Sequence, residues 1–142
     1  MPKMTASECK DFLLDRVRTA KLATVRSDGR PHVVPVWFDL DGDSVVFTTW
    51  HESVKAANIQ RDPRVCICVD DESPPFAYVQ IEGQAEISTD QADLKYWATR
   101  IAGRYMGEDQ AEAYGRRNSV EGELLVRVKP TKIIGQKDVA GW

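Results

Sequence analysis

Residues 45–65, VVFTTWHESVKAANIQRDPRV, read as a strand, a tight turn and a short helix cut off by a proline. Val45, Val46, Phe47, Thr48 and Thr49 are β-branched or aromatic and suit a pleated, half-buried surface. Ser53 suits the helix N-cap, because its hydroxyl accepts a bond from a free amide of the first turn. Pro63 ends the helix by pushing Asp62 out of the α region. A helix N-terminus thus stands at the end of a strand, its unpaired N–H groups and positive dipole end open to an anion. Thr48, Thr49 and Ser53 add hydroxyl donors, and Lys55 adds a full charge. The stretch reads as a phosphate seat; an ordinary capped helix with a surface lysine is the alternative.

Toward the N-terminus, Asp41-Gly42-Asp43 is a hairpin turn that leads back to a strand over 31–40. Ser27-Asp28-Gly29-Arg30 is a second turn, favoured because glycine tolerates positive φ, and it joins that strand to one over 22–26. With the strand at 44–49, an antiparallel meander is expected. Pro35 cannot donate a ladder bond, which places it at an edge or a bulge; a backbone break there leaves room for a flat ligand. Thr5-Ala6-Ser7-Glu8 fits a capping box, and Phe12, Leu13 and Val17 continue a helix over 7–18.

Toward the C-terminus, residues 65–69 are nearly continuous in apolar side chains and read as a buried strand. A polar loop over 70–75 leads to a strand over 76–87, with Gly83 as a bulge or bend. Thr89-Asp90 caps a helix whose Leu94, Trp97, Ala98, Ile101 and Tyr105 form an apolar stripe for core or interface. Gly107 breaks that helix, a further helical piece covers 108–116, and strands follow over 124–128 and 132–135. Six or seven short antiparallel strands with inserted helices favour a mainly β, closed or split barrel, since closure removes open edges. An open α+β sandwich is the runner-up.

A chain of 142 residues forms one domain, 1–142, large enough for a real core. Its net charge of -3 offers no basic footprint for nucleic acid. No apolar run approaches a membrane span. The opening MPKMTASECKDF lacks the apolar core of a signal peptide, so residence in the cytoplasm is the expectation. Cys66 and Cys68 share one strand face, and His32 and His51 are the only histidines, so the three cysteines read as structural thiols and no metal site is expected.

LATVRSDGRPHVVPVWFDLDGDSVVFTT, SVKAANIQRDPRVCICVDD and YVQIEGQAEI together resemble the split β-barrel superfamily of pyridoxamine-phosphate-oxidase-like flavoproteins. Within it the pattern is most similar to the deazaflavin branch, the coenzyme F420-dependent oxidoreductases. The resemblance spans roughly residues 10–137 and rests on four motifs in the family's order: Asp-Gly-Arg-Pro, Ser-x-Lys-x-x-Asn, Arg-Asp-Pro-Arg and Glu-Gly-x-Ala.

It implies a homodimer with two cofactor sites at the subunit interface and a small-molecule substrate. It implies that Ser53 and Lys55 hold the cofactor phosphate, with Thr48 and Thr49 beside it, and that Val54 and Asn58, the asparagine of the same helix, belong to the cofactor-binding segment. His32, Val33, Val34, Pro35 and Val36 match the strand along the flat ring, and Phe76, Ala77 and Tyr78 the stretch that closes over it. Members that hold FMN tightly place an arginine close to the lysine, yet here no arginine precedes Arg61 in this segment. One lysine holds a phosphate dianion less well than an arginine–lysine pair. The departure favours F420, whose phosphodiester carries one charge, over FMN as the alternative cofactor.

The implied reaction is hydride transfer from the reduced deazaflavin to an electron-poor organic substrate, with no catalytic triad expected and no catalytic residue assigned. His32 is a candidate proton donor because histidine is the side chain that changes charge near neutral pH, but a hydrogen-bonding or packing residue is the favoured reading, and His51 reads as a surface residue. Arg100, Arg104, Arg116 and Arg117 are candidates for a polyglutamate tail or for a solvated helix face. An FMN enzyme and a non-catalytic flavin- or tetrapyrrole-binding protein are the alternatives on the same fold.

Overall fold

The computed structural model describes residues 2–141. Thr5 caps helix α1 (Ala6–Asp15) through the expected box: its hydroxyl accepts from Glu8 N, and the Glu8 carboxylate accepts from Thr5 N. The helix stops three residues short of the expected end. Arg18 turns back there, donating to Phe12 O at 2.7 Å and to the Asp15 carboxylate at 2.6 Å.

Strands β1 (Ala20–Val25) and β2 (Pro31–Val36) form a hairpin through the turn at Gly29, whose φ is +88°. Strands β3 (Asp39–Asp41) and β4 (Ser44–Trp50) form the next hairpin. The expected single strand over 31–40 is therefore two, and the three-stranded meander does not form. The break falls at Trp37-Phe38 rather than at Pro35, which instead sits in an edge strand opposite Lys21. Phe38 N donates to the Tyr105 hydroxyl at 3.1 Å instead of to a ladder, and the Phe38 side chain is fully buried.

Helix α2 (Val54–Arg61) follows β4 and ends before Pro63. Strands β5 (Arg64–Asp71) and β6 (Ala77–Ser88) pair in antiparallel fashion. Asp90 caps helix α3 (Gln91–Met106), which Gly107 ends. A 3-10 turn (Glu108–Gln110) leads into helix α4 (Ala111–Arg117). The last strand, β7 (Glu123–Gln136), is one continuous element where two were expected. It passes through Pro130, which faces Gly83 where the β6–β7 register shifts, a position that tolerates a missing N–H.

The sheet has seven strands in the order β2-β1-β5-β6-β7-β4-β3. Its two ends are the two sequential hairpins, so the chain crosses from one edge to the other at Trp37-Phe38: this is the split of a mainly β split barrel. The interior is filled by Leu22, Phe47, Ile67, Val79, Ile81 and Val126, and closed by Phe12 and Leu13 of α1 and Ile59 of α2. A second cluster lies outside the barrel, where Leu94, Trp97 and Ile101 of α3 pack on Val46 and Leu125. The apolar stripe of α3 is thus covered within the chain.

Candidate functional site

The end of β4, the cap of α2 and the break after β2 converge on a cavity of about 280 Å³. Ser53 has extended dihedrals and accepts from Ala56 N at 3.2 Å, the expected cap. Its hydroxyl is also 2.8 Å from that of Thr49, which is buried. Thr48, Thr49, Ser53 and Lys55 all line the cavity. Lys55 is half-buried; burial lowers its pKa from the ordinary lysine value, and the Glu123 carboxylate opposes that shift.

Pro35, Val36 and Trp37 form a second wall. Trp37 stacks on Tyr105 with ring centres 5.1 Å apart and planes 4° apart, which fixes its face. Trp50 stands at the rim, 42% exposed. Ala98 and Ile101 of α3 close the floor, and Asn118 and Glu123 enter from the segment after α4 and the start of β7. Burial raises the Glu123 carboxyl above its ordinary value, while Lys55, Arg117 and His51 pull it down.

This donor set fits a phosphate joined to a flat ring system. Hydroxyls, a capped helix start and one ammonium group gather at one side, and proline, valine and tryptophan at the other.

Six residues expected to hold the cofactor meet in this cavity: Pro35, Val36, Thr48, Thr49, Ser53 and Lys55. The others lie elsewhere. Asn58 is buried beneath α2, donating to the Thr24 hydroxyl at 3.0 Å and accepting from Arg61 at 3.2 Å, so its polar atoms serve the fold. Val54 opens on a neighbouring groove with Arg26, Arg30 and Arg61. His32 and Val34 pair with Thr24 and Leu22, and the buried Nδ1 of His32 has no hydrogen-bond partner among the described residues. Val33 is exposed, on the strand face opposite His32 and Val34, and does not line the cavity. Phe76, with φ of 64°, and Ala77 and Tyr78 lie at the start of β6, whereas the Thr48 and Thr49 end of the sheet meets β7 near the far end of β6. Within one chain they do not reach the cavity.

Of the four arginines, Arg104 is a clamp, donating to Phe38 O at 2.7 Å and Leu13 O at 3.3 Å. Arg100 faces Asp39 at 3.5 Å and Arg116 faces Glu112 at 3.4 Å. Arg117 lies over the Tyr114 ring. Trp37, Trp50, Asn118 and Glu123 are site residues that sequence reasoning missed. Trp37 and Trp50 each directly follow a residue already assigned to the site. Glu123 is the register partner of Trp50 across β4–β7, a pairing with no local signal.

The seven-stranded split barrel with a cavity lined by Thr48, Thr49, Ser53 and Lys55 at a strand–helix junction defines the class. The family model described as pyridoxamine 5'-phosphate oxidase matches residues 5–137, and the chain belongs to that family. A solved structure of an F420 reductase is 31% identical, with a TM-score of 0.69, covering 87% of this chain and 94% of that one. A conserved hypothetical protein from Mycobacterium tuberculosis is 28% identical with a TM-score of 0.81, covering 92% of this chain and 82% of that one. The heme oxygenase HutZ of Vibrio cholerae is 29% identical over 127 residues, 87% of this chain and 70% of that protein. Among the described residues no helix is long and apolar enough to cross a membrane.

Proposed function

We propose that this protein is a homodimeric F420-dependent oxidoreductase that reduces an electron-poor small molecule. The observation that carries the reading is Lys55: a single half-buried cation in a hydroxyl-lined cavity, with no arginine joining it. The identity of 31% to an F420 reductase supports it. Thr48, Thr49, Ser53 and Lys55 would hold the phosphate, and Pro35, Val36 and Trp37 would position the ring. When bound, the reduced deazaflavin supplies a hydride. The chain's own tasks are to orient that ring and to keep water from its reacting face. In that dimer Phe76, Ala77 and Tyr78 of one copy would close over the ring held in the cavity of the other.

Titrating the apo protein with F420 and with FMN tests the cofactor. F420 is expected to bind more tightly; equal or tighter FMN binding makes the FMN enzyme the better reading. The relation to a heme oxygenase favours a tetrapyrrole as the second ligand class, and uptake of heme but of neither flavin would replace the proposal. Sedimentation is expected to show a dimer, and a monomer at micromolar concentration would remove the shared site. A substrate panel with reduced F420 then finds the acceptor.

A further inference from the structure

Two charged side chains line the cavity, Lys55 and Glu123, and their formal charges cancel. They bias each other's ionisation through space without a direct hydrogen bond. The other charged or titratable groups that act on Glu123 are peripheral. Arg117 of α4 is exposed over Tyr114, and His51 is exposed, 3.0 Å from Gly122 O through Nδ1 and 3.5 Å from Glu52 through Nε2. Neither lines the cavity. A phosphate entering beside Lys55 therefore also meets a carboxylate.

We propose that Glu123 is the residue by which the cavity selects the charge of its ligand: it neutralises Lys55 and so disfavours a doubly charged phosphate monoester against a singly charged phosphodiester. The inference rests on the reading of this cavity as the phosphate seat. The physics is Coulombic. A phosphodiester's attraction to Lys55 is offset by its repulsion from Glu123, and it keeps the hydroxyl donors. A monoester above its second pKa, about 6, brings a second charge that no further cation in the cavity meets.

The test uses the full-length chain at pH 8, with F420, FMN and riboflavin as probes, riboflavin having FMN's ring but no phosphate. Wild-type protein is expected to bind FMN less than tenfold more tightly than riboflavin. Glu123→Gln removes the charge and keeps the shape; it is expected to tighten FMN roughly tenfold or more, with riboflavin within about twofold and F420 gaining less than FMN. Glu123→Asn is the second neutral variant if the first melts early. An FMN-to-riboflavin ratio far above tenfold in wild type, or one that Glu123→Gln leaves within twofold, overturns the inference. Lys55→Ala separates the two failures. If it leaves F420 affinity unchanged, the phosphate seat itself is misplaced; if it weakens F420 while Glu123→Gln has no effect on FMN, only the role of Glu123 falls.

Discussion

Gly122 lies against the indole of Trp50: a Cβ added there would come within 2.6 Å of Cη2 and Cζ3 of that ring. Gly122 also has a φ of +99°, which other residues rarely adopt. His51 N donates to its carbonyl oxygen at 2.9 Å. This turn delivers Glu123 into register with Trp50, so the same glycine places both rim residues of the cavity.

Gly122→Ala is therefore expected to destabilise the protein by about 1–3 kcal/mol and to displace Trp50. A thermal melt reads the first effect. Tryptophan fluorescence, compared in wild-type and Trp50→Phe backgrounds, reads the second. Unchanged stability and emission would mean that the turn does not hold the rim.

Tyr105 pins the crossing between the two sheet edges. Its hydroxyl donates to Arg18 O at 2.6 Å and accepts from Phe38 N at 3.1 Å. Tyr105→Phe leaves the Phe38 amide unpaired and is expected to cost about 1–3 kcal/mol. Burial raises the Tyr105 phenol above its ordinary value of 10.0. An acid raised in the folded state contributes fully below its unfolded pKa, and that contribution is lost as pH rises through the folded pKa. Wild-type stability should fall above pH 10 by more than that of Tyr105→Phe, as denaturant melts at pH 8 and 11 would report.

Sequence legibility followed locality. The Ser53 cap, the Pro63 stop and the Gly29 hairpin were readable because each is decided within a few residues. The split at Trp37-Phe38 was not, because what ends the strand is a hydroxyl 67 positions away on α3. Glu123 was invisible for the same reason: its place in the cavity depends on the β4–β7 register. The end of helix α1 carries no local mark, because Arg18 folds back onto Phe12 O without any glycine or proline to signal the stop. The stripe of α3 was legible as apolar, but which surface it covers was decided by Val46 and Leu125 of the chain's own sheet.

Arg127 joins three elements. It donates to both Asp93 oxygens at 2.8 and 3.0 Å and to Asp41 at 2.9 Å, tying α3 and the β3–β4 turn to β7. Its hydrogen bonds hold the Asp93 carboxyl below its ordinary value. Such a group stabilises above its unfolded pKa, and that contribution is lost as pH falls through its folded pKa. The cluster is partly exposed, so Arg127→Ala is expected to cost about 1 kcal/mol. Arg127→Lys should recover little, since the loss is of the two-pronged geometry rather than of charge. Denaturant melts of the two variants check this, and full rescue by lysine would contradict it.

Lys55 is the residue on which the cofactor assignment turns. A cation paired with a phosphate oxygen is worth on the order of 1.5–3 kcal/mol as a charged hydrogen bond. Lys55→Ala should weaken F420 binding roughly tenfold to a hundredfold, and Lys55→Glu more, since it sets a second carboxylate beside Glu123. Both replacements are good helix formers near the start of α2, so the apo variants should melt close to wild type. Affinity carries a pH signature as well. Burial lowers the Lys55 pKa, so the cation is lost at a pH below the ordinary lysine value of 10.5, and binding should weaken as pH rises through that lowered pKa. The Lys55→Ala variant should lack that alkaline limb. Cofactor titrations across pH, paired with apo melts, make the measurement; affinity within about twofold of wild type in a folded variant would place the phosphate elsewhere.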